Sequence, residues 1–458
     1  MAKTTDLTQG KVSSVILGFF FPMLLTNLLQ QVYNIADTAI VGKGLGDSSL
    51  AAVGNMGSVT FLIFGFAIGL SNGFAVIIAQ SFGAKNGERL RRSIAASVKL
   101  SGLIAVLLTA FSLIFMETIL RIMHTDSSII GESLLYGRIV FGGLTATIAY
   151  NLCAGILRAL GDSKTPFKAI IISSVINIVL DSTFIFVLKT GVEGAAIATV
   201  FSQLVSASVC FAKLKSIELI RLSKTDMRKC SPLYPVLIKN GLPMALMNSI
   251  TAIGCVVIQY FVNSMGVAYT SAYSACSKYL NLFMNPASTA GYTMSSFTSQ
   301  NYGAGRYDRI RSGLRVCVSI AAVSYVLLGS LMVFMPRTLA GLMLNSDETI
   351  ALAERFMPVT GLMLISVDLL FVFRNGVQGM GFPTVPMISG IFEMAMRVFV
   401  IIAFIDSFGF ITTAYAESAA WLGAVIINMT AFYYYLGKKL KGESPVRIRR
   451  LKTAGHSI

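Results

Sequence analysis

Long stretches of this chain carry no Asp, Glu, Lys or Arg: Val12–Ala36, Ser48–Ala84, Asn240–Ser277, Val316–Pro336 and Ser418–Gly437. A bilayer crossing takes about 20 mostly apolar residues, and each stretch reaches that length. Charged residues make up only 13% of the 458, against about 25% in a soluble domain. The fold class that follows is all-α: a polytopic membrane protein with its backbone polar groups satisfied inside helices. The first apolar stretch lacks a small-residue cleavage site after a short core, so it reads as a retained helix and not a removable signal.

Hydropathy and loop signals predict twelve spans, near 13–40, 50–80, 93–117, 130–158, 166–188, 193–213, 235–263, 268–299, 313–335, 350–379, 385–405 and 409–436. Loop charge orients them. Lys85, Arg89, Arg91 and Arg92 fall in the second-to-third connection, and Arg306, Arg309, Arg311 and Arg315 in the eighth-to-ninth. The sixth-to-seventh connection and the C-terminal tail are likewise basic, while the alternate loops are poor in Lys and Arg. Basic loops face the cytoplasm, so both termini are expected there. The net charge of +16 therefore reads as topology, with no nucleic-acid partner. Six scattered cysteines show neither metal-ligand nor disulfide spacing.

The chain also repeats itself at an offset of about 220 residues. FPMLLTN (21–27) matches LPMALMN (242–248), QSFGAKNGERLRR (80–92) matches QNYGAGRYDRIRS (300–312), and RALGDSKTP (158–166) matches QGMGFPTVP (378–386). Six spans per half is an even number, so both halves enter the membrane from the same side. That predicts parallel repeats about an axis along the membrane normal, with a site between them. The expected division is an N-lobe over 1–214, a cytoplasmic linker over 215–234, a C-lobe over 235–440 and a basic tail over 441–458.

Carboxylates deep in a membrane helix are expensive and mark function. The first span places Asn27, Gln30, Gln31, Asn34 and Asp37 at spacings of three and four, a polar stripe with Tyr33 one turn before Asp37. The fifth span repeats the arrangement with Ser173, Asn177 and Asp181. With the Thr199 hydroxyl, Asp37, Asn177 and Asp181 offer an all-oxygen set that suits H⁺ or a hard cation such as Na⁺. Asn248, aligned with Asn27, and Gln259 extend the polar set into the second half, which has lost the carboxylate stripe: Glu393, Arg397 and Ile401 stand where the first half has Ser173, Asn177 and Asp181. Glu393 and Arg397, at i and i+4, are expected to neutralise each other. Asp368 is a weaker candidate. Pro22 and Pro243 lie inside the first and seventh spans, where each removes a backbone hydrogen bond.

Over about 12–440 the chain resembles the multidrug and toxic compound extrusion (MATE) transporters, of the prokaryotic DinF-like or MepA-like type. The resemblance is carried by QQVYNIADTAIVG (30–42), AQSFGAKN (79–86), GILRALGDSKTP (155–166), NIVLDSTFIF (177–186) and GAAIAT (194–199). It implies an N-lobe cation site at Asp37, Asn177, Asp181 and Thr199, a cavity with Gln30 and Tyr33, and a helix bend at Pro22. NorM-type members carry a glutamate in the seventh span; Pro243–Asn263 contains no carboxylate here, so coupling is expected in the N-lobe alone.

The function expected is cation-coupled antiport that exports amphipathic, often cationic, organic compounds, by a monomer with no cofactor besides the coupling ion. A lipid-linked saccharide flippase is the alternative. It would want cations in the cavity for pyrophosphate, whereas the stripes read from sequence are acidic and amide-rich. An enzyme is disfavoured, because His124 and His456 are the sole histidines, both expected outside the membrane, and no nucleophile constellation appears.

Overall fold

The structure, a computed structural model, describes residues 6–123 and 125–442 of the chain. The described residues form seventeen α-helices and no strands. In the first half these are α1 (Val12–Leu45), α2 (Asp47–Gly83), α3 (Gly87–Ile122), α4 (Ile130–Gly142), α5 (Leu144–Ala159), α6 (Lys164–Ser182) and α7 (Val192–Lys215). A short α8 (Lys224–Arg228) lies in the connection. The second half has α9 (Tyr234–Met265), α10 (Val267–Phe283), α11 (Asn285–Gly303), α12 (Tyr307–Ser324), α13 (Ser330–Phe334), α14 (Pro336–Gly341), α15 (Asp347–Gly379), α16 (Thr384–Phe408) and α17 (Ile411–Leu440).

Ten helical segments are long and apolar enough to cross a bilayer, and α4 with α5, bent by 44° at their junction, makes an eleventh. The twelfth expected span, 268–299, is the broken pair α10 and α11, interrupted at Met284 just before Pro286. It falls short on hydropathy for a physical reason. α11 packs on α1, α2, α12 and α15, and buries Thr289, Thr293, Thr298 and Gln300 among protein neighbours instead of lipid.

The internal repeat is visible in the backbone. α2 and the pair α10–α11 begin and end 220 residues apart, and so do the starts of α3 and α12 and of α6 and α16. Left-handed turn residues recur at the same spacing: Gly46 with Gly266, Lys85 with Gly305, Gly161 with Gly381, and Lys189 with Gly409. These conformations close the turns between spans, so each half is punctuated alike.

The halves meet along α2, which lies against α9 and α11. Small residues permit this approach. A Cβ on Gly73 would sit 2.3 Å from Gly241 Cα, and one on Gly69 would sit 2.6 Å from Ala245 Cα. At the basic end the contact is reciprocal. A Cβ on Gly83 would lie 1.9 Å from the Gln300 carbonyl oxygen, and one on Gly303 would lie 2.0 Å from that of Gln80. Gln80 Nε2 donates to Gly379 O at 3.0 Å, and Gln300 Nε2 donates to Ala159 O at 2.8 Å. The N-terminal segment reinforces this seal: Leu7 N–H donates to Gln300 Oε1 at 2.9 Å, and Arg309 donates to Gly10 O at 2.9 Å.

The connection expected over 215–234 is folded against α3. Ser223 and Asp226 form a reciprocal cap on α8, Arg91 reaches Asp226 at 3.3 Å, and Lys99 Nζ donates to Met227 O at 2.8 Å. Hydrogen bonds from Ser223, with Arg91 beside it, hold the Asp226 carboxyl below the usual carboxylate range. The expected tail beyond Gly442, and both histidines, lie outside the described residues.

Because the glycine contacts are against backbone, Gly83→Ala should force α2 and α11 apart, an overpacking cost of about 1–3 kcal/mol. Thermal unfolding of the detergent-solubilised protein should show a lowered Tm. Gly102→Ala, where a Cβ meets nothing within 4 Å, should leave it unchanged.

Candidate functional site

Four helices of the first half converge on Asp37. α1 supplies Asp37 and, one turn earlier, Tyr33. α6 supplies Asn177 and Asp181, both fully buried. α7 supplies Thr199, and α4 supplies Tyr136. A π-helical turn, Thr183–Val187, begins two residues after Asp181 and offsets the helix there. With its amide nitrogen turned to Asp181, Asn177 donates to Asp181 Oδ2 at 2.6 Å, while its oxygen accepts from the Thr199 N–H at 3.3 Å. Asp37 and Asp181 are close enough to act on each other electrostatically, with Tyr33, Tyr136 and Thr199 as neighbours.

Oδ1 of Asp37 and Oδ1 of Asp181 have no hydrogen-bond donor among the described residues, and neither carboxyl belongs to an ion pair there. Two carboxyls this close in a low-dielectric setting cannot both stay charged without a positive partner, so they share a proton or hold a cation. The surrounding hydroxyl and amide oxygens are hard donors of the kind Na⁺ accepts. The structure thus brings together the four residues read from the sequence. It also moves Tyr33 from the expected cavity into this cluster, and adds Tyr136. Nothing in the spacing of the fourth span marks Tyr136; only the packing of α4 on α7 places it.

Between the halves lie two chambers of about 230 and about 300 Å³ that share Ile68, Asn72, Met244, Tyr292 and Asn375 on their walls. Asn27 and Gln30 line the first, and Asn248 lines the second. Asn27 Nδ2 donates to Thr289 Oγ1 across the interface at 2.8 Å, and Asn248 Nδ2 donates to Gly65 O at 3.1 Å. Two expected cavity residues line neither chamber. Asn34 is exposed on α1, and Gln259 bonds Asn263 at 2.6 Å near the far end of α9. α1 continues through Pro22, whose carbonyl accepts a hydrogen bond from the Thr26 hydroxyl at 2.7 Å.

The charge of the cavity corrects the expectation that acidic stripes line it. Neither chamber is lined by an Asp or Glu; their charged lining residues are Arg158 and Arg374. The acidic residues of the first half point into the α1–α4–α6–α7 cluster instead, so they offer no counter-charge to a cationic cargo.

The Glu393–Arg397 pair is also more than self-contained. Arg397 Nε and Nη2 both bond Glu417 Oε2, at 3.0 and 2.9 Å, whereas its distance to Glu393 is 3.9 Å. Glu393 is taken by Arg374. The result is a buried chain of two arginines and two glutamates across α15, α16 and α17. Arg374 and Glu417 escaped sequence reading because their partners lie 19 and 20 residues away, on other helices. Asp368 is fully buried, and neither of its carboxyl oxygens finds a partner among the described residues.

A duplicated, all-helical membrane bundle with a cavity between its halves has the architecture of a membrane transporter. The MatE family model matches residues 22–183 and 243–429, once in each half, and the chain belongs to that family of multidrug efflux transporters, which are not enzymes. It is 30% identical over 353 residues to the probable multidrug resistance protein YoeA of Bacillus subtilis, covering 75% of this chain and 76% of that one. It is 30% identical over 308 residues to YpnP of the same organism, also named a probable multidrug resistance protein, covering 67% of this chain and 69% of that one. In fold it resembles a crystal structure of a MATE protein in the bent conformation, with a TM-score of 0.89 at 24% identity, over 96% of this chain and all of that one.

Removing one member of a buried charge network leaves the others uncompensated. Glu417→Ala should therefore destabilise the second half by about 3–5 kcal/mol. The double change Glu417→Leu with Arg397→Met should cost less than the single one, read as thermal shifts of the purified protein.

Proposed function

We propose that the protein exports small amphipathic organic molecules across the inner membrane of a prokaryote, by alternating access, in exchange for H⁺ or Na⁺ entering at Asp37 and Asp181. One observation carries this reading: two facing carboxyls, each with an unpartnered oxygen and neither paired to a base, inside a lobe that faces lipid. A structural role for the pair would call for a basic or donor partner on each oxygen.

The geometry suggests how ion and cargo communicate. α1 carries Asp37 toward one end and Asn27 and Gln30, on the cavity wall, toward the middle. It also bonds the second half through Thr289. Charge at Asp37 therefore acts on the same rigid element that touches cargo, and each ligand alters the other's affinity through the position of α1. The basic end, with the α2–α3 and α11–α12 turns, is assigned to the cytoplasm together with both termini. In the conformation seen, that end is sealed by Gln80, Gln300 and the close-packed glycines. Opening to the cytoplasm requires these contacts to break while the opposite end closes, a rocking of one lobe on the other.

In inverted membrane vesicles, an imposed H⁺ or Na⁺ gradient should drive uptake of a fluorescent cargo, and the effective gradient identifies the ion. Asp37→Asn and Asp181→Asn should each abolish driven uptake at unchanged membrane abundance. Uptake at the wild-type rate in either variant would contradict the reading. Thr199→Val, which removes one oxygen and keeps the shape, should weaken ion dependence by about tenfold.

A further inference from the structure

The two chambers between the halves carry guanidinium groups and no carboxylate on their walls. Arg158, near the C-terminal end of α5, is half-buried and forms no ion pair among the described residues. Asp162, one turn further on, commits its carboxylate to the start of α6, accepting from Lys164 N–H at 3.0 Å and Thr165 N–H at 2.9 Å. Arg374 is 6% exposed; one arm of its guanidinium holds Glu393, while Nε has no acceptor. Tyr292 lies on the wall common to both chambers, within electrostatic reach of both arginines. The cavity is therefore rich in donors and short of acceptors with charge.

We infer that the cargo class is the organic anion: an amphipathic molecule whose carboxylate, sulfonate or phosphate group sits against Arg158 in the first chamber or Arg374 in the second. Its apolar body would lie on Met23, Ile68, Met244 and Phe371, which line the same chambers. This inference rests on the export reading above and names the cargo. Three physical reasons carry it. A buried donor without an acceptor is costly, and an anionic oxygen satisfies it. A guanidinium matches the planar, bidentate geometry of carboxylate and phosphate. A cation in the first chamber would face the unpaired Arg158 at reduced dielectric, and one in the second would face Arg374 with its Glu393 partner behind the wall, with no carboxylate on either wall to receive it. Arg158 also precedes Ala159, whose carbonyl accepts the Gln300 hydrogen bond of the cytoplasmic seal, so an anion held there adjoins the contact that must open.

The test uses the full chain in lipid nanodiscs and in proteoliposomes, with fluorescein and rhodamine 6G as probes, two dyes of one xanthene body and opposite charge. Fluorescein should bind at least about tenfold more tightly than rhodamine 6G. Arg158→Gln, at a half-buried and unpaired position, should lower fluorescein affinity by about tenfold and leave rhodamine binding unchanged. Arg158→Glu should reverse the preference. The paired change Arg374→Gln with Glu393→Gln, which keeps the network free of a lone charge, should also weaken fluorescein. Preference of the wild type for rhodamine, or fluorescein affinity unmoved in both arginine variants, overturns the inference. Fluorescein binding without ion-driven uptake leaves the anion site standing and overturns the export reading. Ion-driven uptake of rhodamine, lost in Asp37→Asn, with no fluorescein binding does the reverse.

Discussion

Two carboxyl groups facing each other in a lipid-embedded lobe set the terms for the rest of this molecule. Their mutual repulsion is worth several kcal/mol at the effective dielectric of a partly buried site, and no basic side chain relieves it among the described residues. The pair is stable only while a proton or metal cation is present, or while water reaches it. Every element around it serves that condition. Asn177 fixes Asp181 and is itself fixed by the Thr199 backbone, the π turn after Ser182 offsets the end of α6, and α1 carries Asp37 to the meeting point.

The second half shows the opposite solution to the same problem. Where the first half keeps its carboxyl pair without a base, α15, α16 and α17 join two arginines to two glutamates, Arg374 with Glu393 and Arg397 with Glu417, while Asp368 on α15 stays without a partner among the described residues. A buried network with all members in place is rigid, and removing any one is costly. The duplicated scaffold has thus diverged into a half with an uncompensated carboxyl pair and a half with a joined charge network. Arg374 belongs both to the rigid network and to the cavity wall, so the network fixes a cationic group against the cargo space.

Alternating access needs an interface that can come apart, and the contact at the basic end has that character. Backbone packs there against glycine with reciprocal amide hydrogen bonds from Gln80 and Gln300, beside a cluster in which Leu7 and Ile16 pack with Phe297 and Ile310. Each such bond is worth about 1 kcal/mol net. That is enough to favour closure and small enough for a bound ligand to reverse, since a ligand shifts such an equilibrium by its difference in affinity for the two states.

Helical membrane architecture, the duplication and the carboxylate stripe could be read directly from the chain, because each is a local or periodic property. Charge-free length follows from the bilayer, the offset of about 220 residues from comparing the chain with itself, and Asn177 with Asp181 from helical spacing. Proximity across helices could not be read. That α4 brings Tyr136 to Thr199, that Arg397 chooses Glu417 over its own-helix neighbour Glu393, and that Asn34 and Gln259 miss the cavity all depend on helix rotation and tilt. The sign of charge on the cavity wall was decided in the same way. Periodicity shows which residues share a face; packing against other helices alone determines whether that face meets lipid, a partner or the cargo.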